Sequence, residues 1–158
     1  VTQLRPYIRY ICTNESFRRP STSVTVRWLD WEQDYIIARD FWDQLMMMLL
    51  LGTLGVKKSL GYEYCAVIGP DGIRARAGVW RFSEIAWDCA AVYTKEEYQR
   101  RGYGKAVCAF ITSYILETGR IATCGARHTN LPMQRTAESL GYFQPPEDYP
   151  IDWPGVLR

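Results

Sequence analysis

The chain has 158 residues, 47% of them apolar and 23% charged, which suits one soluble domain with a substantial core, expected to span 1–158. Nineteen basic side chains against 17 acidic ones leave a formal charge of +2, too balanced for a nucleic-acid binder. The longest apolar run, Leu45–Leu51, falls far short of the ~20 residues that cross a bilayer, so no membrane partner is expected.

In chain order, Tyr7–Cys12 reads as a candidate strand, and Asn14–Ser23, with Arg18, Arg19, Pro20 and several hydroxyls, as a loop. Val24–Leu29 is β-branched and apolar, and predicts a strand. Asp30 or Asp34 can cap the helix that follows, where Ile37, Phe41, Leu45, Met48 and Leu49 share one face until Gly52 and Gly55 break it. Tyr62–Ile68 predicts a strand, Gly69-Pro70-Asp71-Gly72 a tight turn, and Ile73–Ala77 an alternating strand that runs on toward Phe82. Ile85–Thr94 is the next strand. A helical pattern covers Gly104–Glu117, a strand Ile121–Ala126, and a second helix Asn130–Leu140. The fold class is therefore α/β with a mixed sheet: an antiparallel meander followed by a strand–helix–strand–helix crossover, whose parallel connection should be right-handed. The proline-rich tail from Gln144 to Pro150 cannot extend a sheet centrally.

Val1–Arg5 has no signal-peptide core. Five scattered cysteines (Cys12, Cys65, Cys89, Cys108, Cys124), no Cys-x-x-Cys and one histidine argue against a disulfide framework or a zinc site, so a reducing cytoplasm and no metal are expected. Basic residues cluster at Arg18/Arg19, at Arg74/Arg76 and at Arg100/Arg101/Lys105; the first two clusters read as solvated faces.

The third cluster lies in Gln99-Arg100-Arg101-Gly102-Tyr103-Gly104-Lys105-Ala106, between a strand and a helix. Two glycines one residue apart let the backbone turn sharply and approach a ligand. The first helical turn offers unpaired N–H groups and the positive end of the helix dipole, an anion site. With Gln99 three residues before Gly102, the stretch resembles the Gln/Arg-x-x-Gly-x-Gly/Ala signature of the GNAT acyltransferases, whose loop grips the pyrophosphate of acetyl-coenzyme A. The order of elements is similar too, from about Ile85 through Asn130 at a helix mouth to the closing Leu140-Gly141-Tyr142-Phe143. A dinucleotide-binding loop is the weaker reading, because Val107 stands where a third glycine is wanted.

The resemblance implies that Gln99, Arg100, Arg101, Gly102, Tyr103, Gly104, Lys105 and Asn130 bind the coenzyme, and that a splayed strand end at Val92, Tyr93 and Thr94 meets its pantetheine and thioester. Acetyl transfer to an amine needs the reactants held together, a proton removed from the amine and the oxyanion stabilised. Some family members carry a carboxylate base four residues before the strand end, which falls on Asp88. A period of two puts Asp88 on the face of Val92 and Thr94, barring a bulge, and partial burial would raise its pKa into the working range. His128, the lone histidine, is the second candidate base. Where many members carry a tyrosine as general acid, this chain has Ala137; Tyr93 or Tyr142 would have to serve, or the thiolate leaves unassisted.

Trp31, Trp42 and Trp80 lie on elements that would flank an acceptor groove and could hold a cation by their faces, with Glu32 or Asp34 attracting it. The expected function is transfer of an acetyl group from acetyl-coenzyme A to the primary amine of a small molecule or peptide, by a monomer or homodimer. The alternative is a catalytically weak or inactive coenzyme A-binding sensor or docking module of the same fold.

Overall fold

The computed structural model describes residues 7–42, 62–151 and 153. The strands are β1 (Tyr7–Cys12), β2 (Arg27–Trp28), β3 (Tyr62–Gly69), β4 (Gly72–Trp80), β5 (Ala86–Thr94) and β6 (Ile121–Arg127). The helices are α1 (Tyr35–Phe41), α2 (Tyr103–Glu117) and α3 (Leu131–Ser139), with one 3-10 turn at Glu96–Tyr98. Among the described residues the strands form one sheet in the order β1-β6-β5-β4-β3-β2. β3, β4 and β5 make the antiparallel meander, and β5 joins β6 in parallel through α2.

The strand expected over Val24–Leu29 shrinks to two residues. Being at the sheet edge, β2 pairs only Arg27 with Ala66 and Trp28 with Cys65, while Val24 and Val26 pack onto the core as irregular chain. Asp34 does stand at the head of α1, but it does not cap it. Its carboxylate takes a two-pronged bond from Arg27 at 2.7 and 2.8 Å and a third from the Asp30 amide at 2.8 Å. Of the expected face of α1, Ile37 and Phe41 pack against a cluster of Leu29, Ala38, Trp42, Tyr64, Ala66 and Ile73. Leu45, Met48, Leu49, Gly52 and Gly55 lie outside the described residues.

The two sheet faces are covered differently. On one, α2 lies across Cys65, Ala75, Ala77, Val79 and Cys89, and eight of its fifteen residues are buried. Small alanines on β4 let the helix come close. The other face is covered by α1 at the β3–β4 side. At the β1–β6 side it is covered by the tail, where Tyr149, Ile151 and Trp153 pack over Ile11, Phe82 and Ala86. The tail meets the sheet at its outer edge, through one bridge between Ile11 and Phe143.

Two irregularities in β5 position the site. First, β5 and β6 pair only as Ala86–Ile121, Trp87–Ala122 and Asp88–Thr123. Beyond Asp88 the two parallel strands part. Second, β5 carries a bulge: Ala90 pairs with Gly78 but Tyr93 with Arg76, so three steps on β5 match two on β4. The extra residue is Ala91, at φ +54°. The parity of the strand therefore flips. Asp88, Ala90 and Tyr93 share the face of Arg76 and Trp80, whereas Val92 and Thr94 point with Cys89 toward α2. This corrects the expectation that Asp88, Val92 and Thr94 line one face.

Candidate active site

The loop before α2 has the geometry of an anion cradle. Gly102 occupies the left-handed region at φ +81° and heads α2 without any capping side chain. The amides of Tyr103, Gly104 and Lys105 precede the first intrahelical bond, which Ala106 donates to the Gly102 carbonyl at 3.0 Å. A Cβ at Gly102 would meet nothing within 4 Å, so the space a phosphate would fill is open among the described residues. Gly104 is closely approached instead: a Cβ there would lie 3.3 Å from the Thr94 hydroxyl, where α2 leans on the end of β5. Arg100 is itself at φ +65°. Arg100 and Arg101 are exposed, and Gln99 Nε2 donates to the Thr94 carbonyl at 3.2 Å, tying loop to strand.

The β3–β4 turn braces this loop, which sequence reading missed. Arg74 donates to Asp71 at 3.0 Å and to the Tyr103 hydroxyl at 3.2 Å, and its guanidinium lies 4.5 Å from the Tyr98 ring centre. Tyr98 in turn bonds Asp71 and lies under Arg101.

Asp88 sits where β5 and β6 begin to part. Thr123, fully buried, donates to its Oδ1 at 2.5 Å. The carboxyl keeps a partial opening to solvent but is densely surrounded by protein. Burial pushes its pKa up to about 7, and the Thr123 bond and the positive charge of Arg9 hold it from rising further. Thr123 and Arg9 come from β6 and β1. Neither has a motif in the sequence; only the strand order brings them to Asp88.

The other site residues are spread around this point. Trp80 pairs with Asp88 across β4 and β5 and packs on Phe82 at 5.8 Å between ring centres. Val92 and Thr94 are half-buried and Tyr93 is 50% exposed. Asn130 caps α3 by accepting the Met133 amide at 3.2 Å. His128 is exposed, five residues past Thr123 on the turn after β6, roughly 16 Å along an extended strand. Ala137 is buried at the core side of α3. Tyr142 is buried and its hydroxyl is committed to Thr112 at 2.7 Å. Among the described residues no three His, Cys, Asp or Glu side chains gather as a metal site would need, and no described helix is long and apolar enough to cross a membrane.

The aromatic wall departs from expectation. Trp42 is buried, and the cation at its face belongs to the protein: the Arg76 guanidinium lies 4.7 Å from its ring centre. Phe41, Tyr93 and Tyr64 surround the same group at 5.6, 5.8 and 5.9 Å. Trp31 stands behind, against Trp42 and Tyr64. Arg76 is thus no solvated surface charge; burial pushes its pKa down. Asp34, expected to attract a cation, is already neutralised by Arg27.

Residues 74–149 match the model of a family described as FR47-like protein. A GNAT-family protein from Novosphingobium aromaticivorans superposes with a TM-score of 0.65 over 88% of this chain and 59% of its own, at 20% identity. A GNAT-family acetyltransferase from Colwellia psychrerythraea gives 0.67 over 87% and 52%, at 14% identity. This chain has the GNAT fold. A GNAT-family protein from Desulfovibrio desulfuricans adds a TM-score of 0.59 over 75% and 84% of the two chains, at 19% identity. The chain spans under three fifths of the first two solved chains it matches, 59% and 56%. No curated protein matches. The GNAT resemblance read from the loop and from the Leu140–Phe143 close thus extends to the whole sheet and its helices.

Proposed function

We propose that the protein is an acetyl-coenzyme A-dependent N-acetyltransferase acting on a primary amine. The observation that carries this reading is the juxtaposition at β5. The strand parts from β6 just after a buried carboxylate with a pKa of about 7, and its far end runs into an open, uncapped helix start flanked by arginines. The amides of Tyr103–Lys105, with Arg100 and Arg101, hold the pyrophosphate, and the opened edge of β5 at Val92–Thr94 takes the pantetheine arm. When bound, the coenzyme supplies the activated acyl group. Asp88 takes the proton of the incoming amine, directly or through one water, since a free alkylamine has a pKa of about 10.4 and arrives charged. Thr123 fixes the carboxylate through its 2.5 Å bond. His128, on the turn after β6, is the next candidate base. Tyr142 is locked into the core, which leaves Tyr93, on the Asp88 face, as the candidate acid toward sulfur.

The test is thiol release from acetyl-coenzyme A across an amine panel, corrected for hydrolysis. Asp88→Asn should lower turnover by ~10²–10⁴ while coenzyme affinity holds. A wild-type rate and pH profile in that variant would move the base elsewhere. Ala137 favours a second reading, a coenzyme A-binding sensor: the side chain is buried and cannot donate a proton. Tight coenzyme binding without acceptor-dependent thiol release would select it.

A further inference from the structure

Arg76 is the feature that the coenzyme and the base do not use. It projects from β4 on the face that carries Asp88, between the cluster under α1 and the tail. Its Nε donates to the carbonyl of Ala91, the bulge residue, at 3.3 Å. Four aromatic rings surround its guanidinium, with centres 4.7–5.9 Å away. Among the described residues no carboxylate pairs with it, and its Nη1 and Nη2 have no hydrogen-bond partner. Ring faces compensate part of the cost of holding a cation away from water, but they supply no hydrogen-bond acceptor. A guanidinium is flat, and stacking takes its faces. With Nε occupied, what remains is the in-plane fork of the two Nη groups, the shape that binds a carboxylate with two parallel bonds.

The geometry points to Arg76 as the specificity residue for an acceptor that carries a carboxylate as well as its amine, a small zwitterion of the amino-acid class. The two ends of such a molecule find opposite charges on one sheet face, Arg76 for the carboxylate and Asp88 for the ammonium. Arg76 pairs with Tyr93, and Trp80, four residues further along β4, pairs with Asp88. That spaces the two backbones by roughly 13 Å, which the arginine arm shortens by about half, so the charged groups of the acceptor should lie several bonds apart. The inference rests on the transferase reading for its consequence, but the carboxylate grip can be measured without turnover.

The experiment uses matched acceptors that differ only in the carboxylate: L-lysine against cadaverine, and L-phenylalanine against phenethylamine. The wild type should favour the acid in kcat/KM by about tenfold or more, with the larger ratio for lysine. Arg76→Gln should abolish the preference while the KM for acetyl-coenzyme A stays within twofold. Arg76→Lys, which keeps a cation in the aromatic box, should retain part of it and guards against a variant that fails to fold. A wild type that treats acid and amine alike would overturn the proposal, as would a preference that survives both substitutions. If no acceptor turns over, the transferase reading fails by itself. Saturation-transfer NMR of the same pairs then decides: signal for the acids alone, lost in Arg76→Gln, supports the grip, and equal signal overturns it.

Discussion

Asp88 and Thr123 are the last residues that pair before β5 and β6 separate, and Thr123 donates to the Asp88 carboxylate at 2.5 Å. The bond sits at the apex of the opening. It therefore couples the shape of the cleft to the ionisation of the group inside it.

That bond favours the charged carboxylate, against the burial that opposes it. Thr123→Val should raise the Asp88 pKa above its present value of about 7. The acceptor-dependent rate then inflects at higher pH, while coenzyme affinity is unchanged. An inflection at the wild-type pH would show that the threonine only fills space.

Asp88 also makes stability depend on pH. Its pKa rises from 3.8 to about 7 on folding, so the native protein keeps a proton that the unfolded chain gives up. This contribution is complete below pH 3.8, fades as pH rises toward 7 and is absent above. Urea midpoints at pH 4 and pH 8 should differ less in Asp88→Asn than in the wild type.

Gly102→Val puts a β-branched residue at φ +81° and a side chain into the space before α2. Coenzyme affinity by isothermal titration should fall at least tenfold with the circular dichroism spectrum retained. Unchanged affinity in the folded variant would remove the loop from the coenzyme site.

Trp31 and Trp42 should behave differently. Trp42 is buried in the Arg76 box, so Trp42→Ala should cost about 3–5 kcal/mol of stability. Trp31 is half-buried at the margin, and Trp31→Ala should raise the acceptor KM with little change for the coenzyme. Equal losses of stability in the two variants would make Trp31 a core residue as well.

The Thr112–Tyr142 pair is buried behind α2, and Thr112 also donates to the Cys108 carbonyl at 2.7 Å. Thr112→Val leaves the Tyr142 hydroxyl without its partner and should cost about 1–3 kcal/mol in chemical denaturation, with no effect on acceptor KM.

The parts of this molecule visible in its sequence are those written in neighbouring residues. The Gly69–Gly72 turn, the Gly102/Gly104 loop and the apolar run of α2 each announce themselves within one window, and the element order follows. What was hidden depends on pairing across distance. Thr123 and Arg9 reach Asp88 only because β6 and β1 lie beyond β5 in the sheet. Arg76 looked like one of two charges alternating with alanines, and nothing local says that α1 brings Phe41 and Trp42 to it. Asp34 looked like a cap because the sequence does not show that Arg27 folds back onto it. The bulge left no trace either, since Ala91 adopts a positive φ in a run of ordinary strand residues where a glycine would have given it away.

That single residue has a consequence for how the chain can change length. Elsewhere in a strand, losing one residue reverses the facing of everything downstream. At Ala91 it would only remove the bulge: Tyr93 would stay on the Asp88 face, and Val92 and Thr94 would stay toward α2. Such a deletion should straighten β5 while leaving the linings of the two half-sites as they are. At this position the strand can lose a residue without exchanging the groups that each substrate meets.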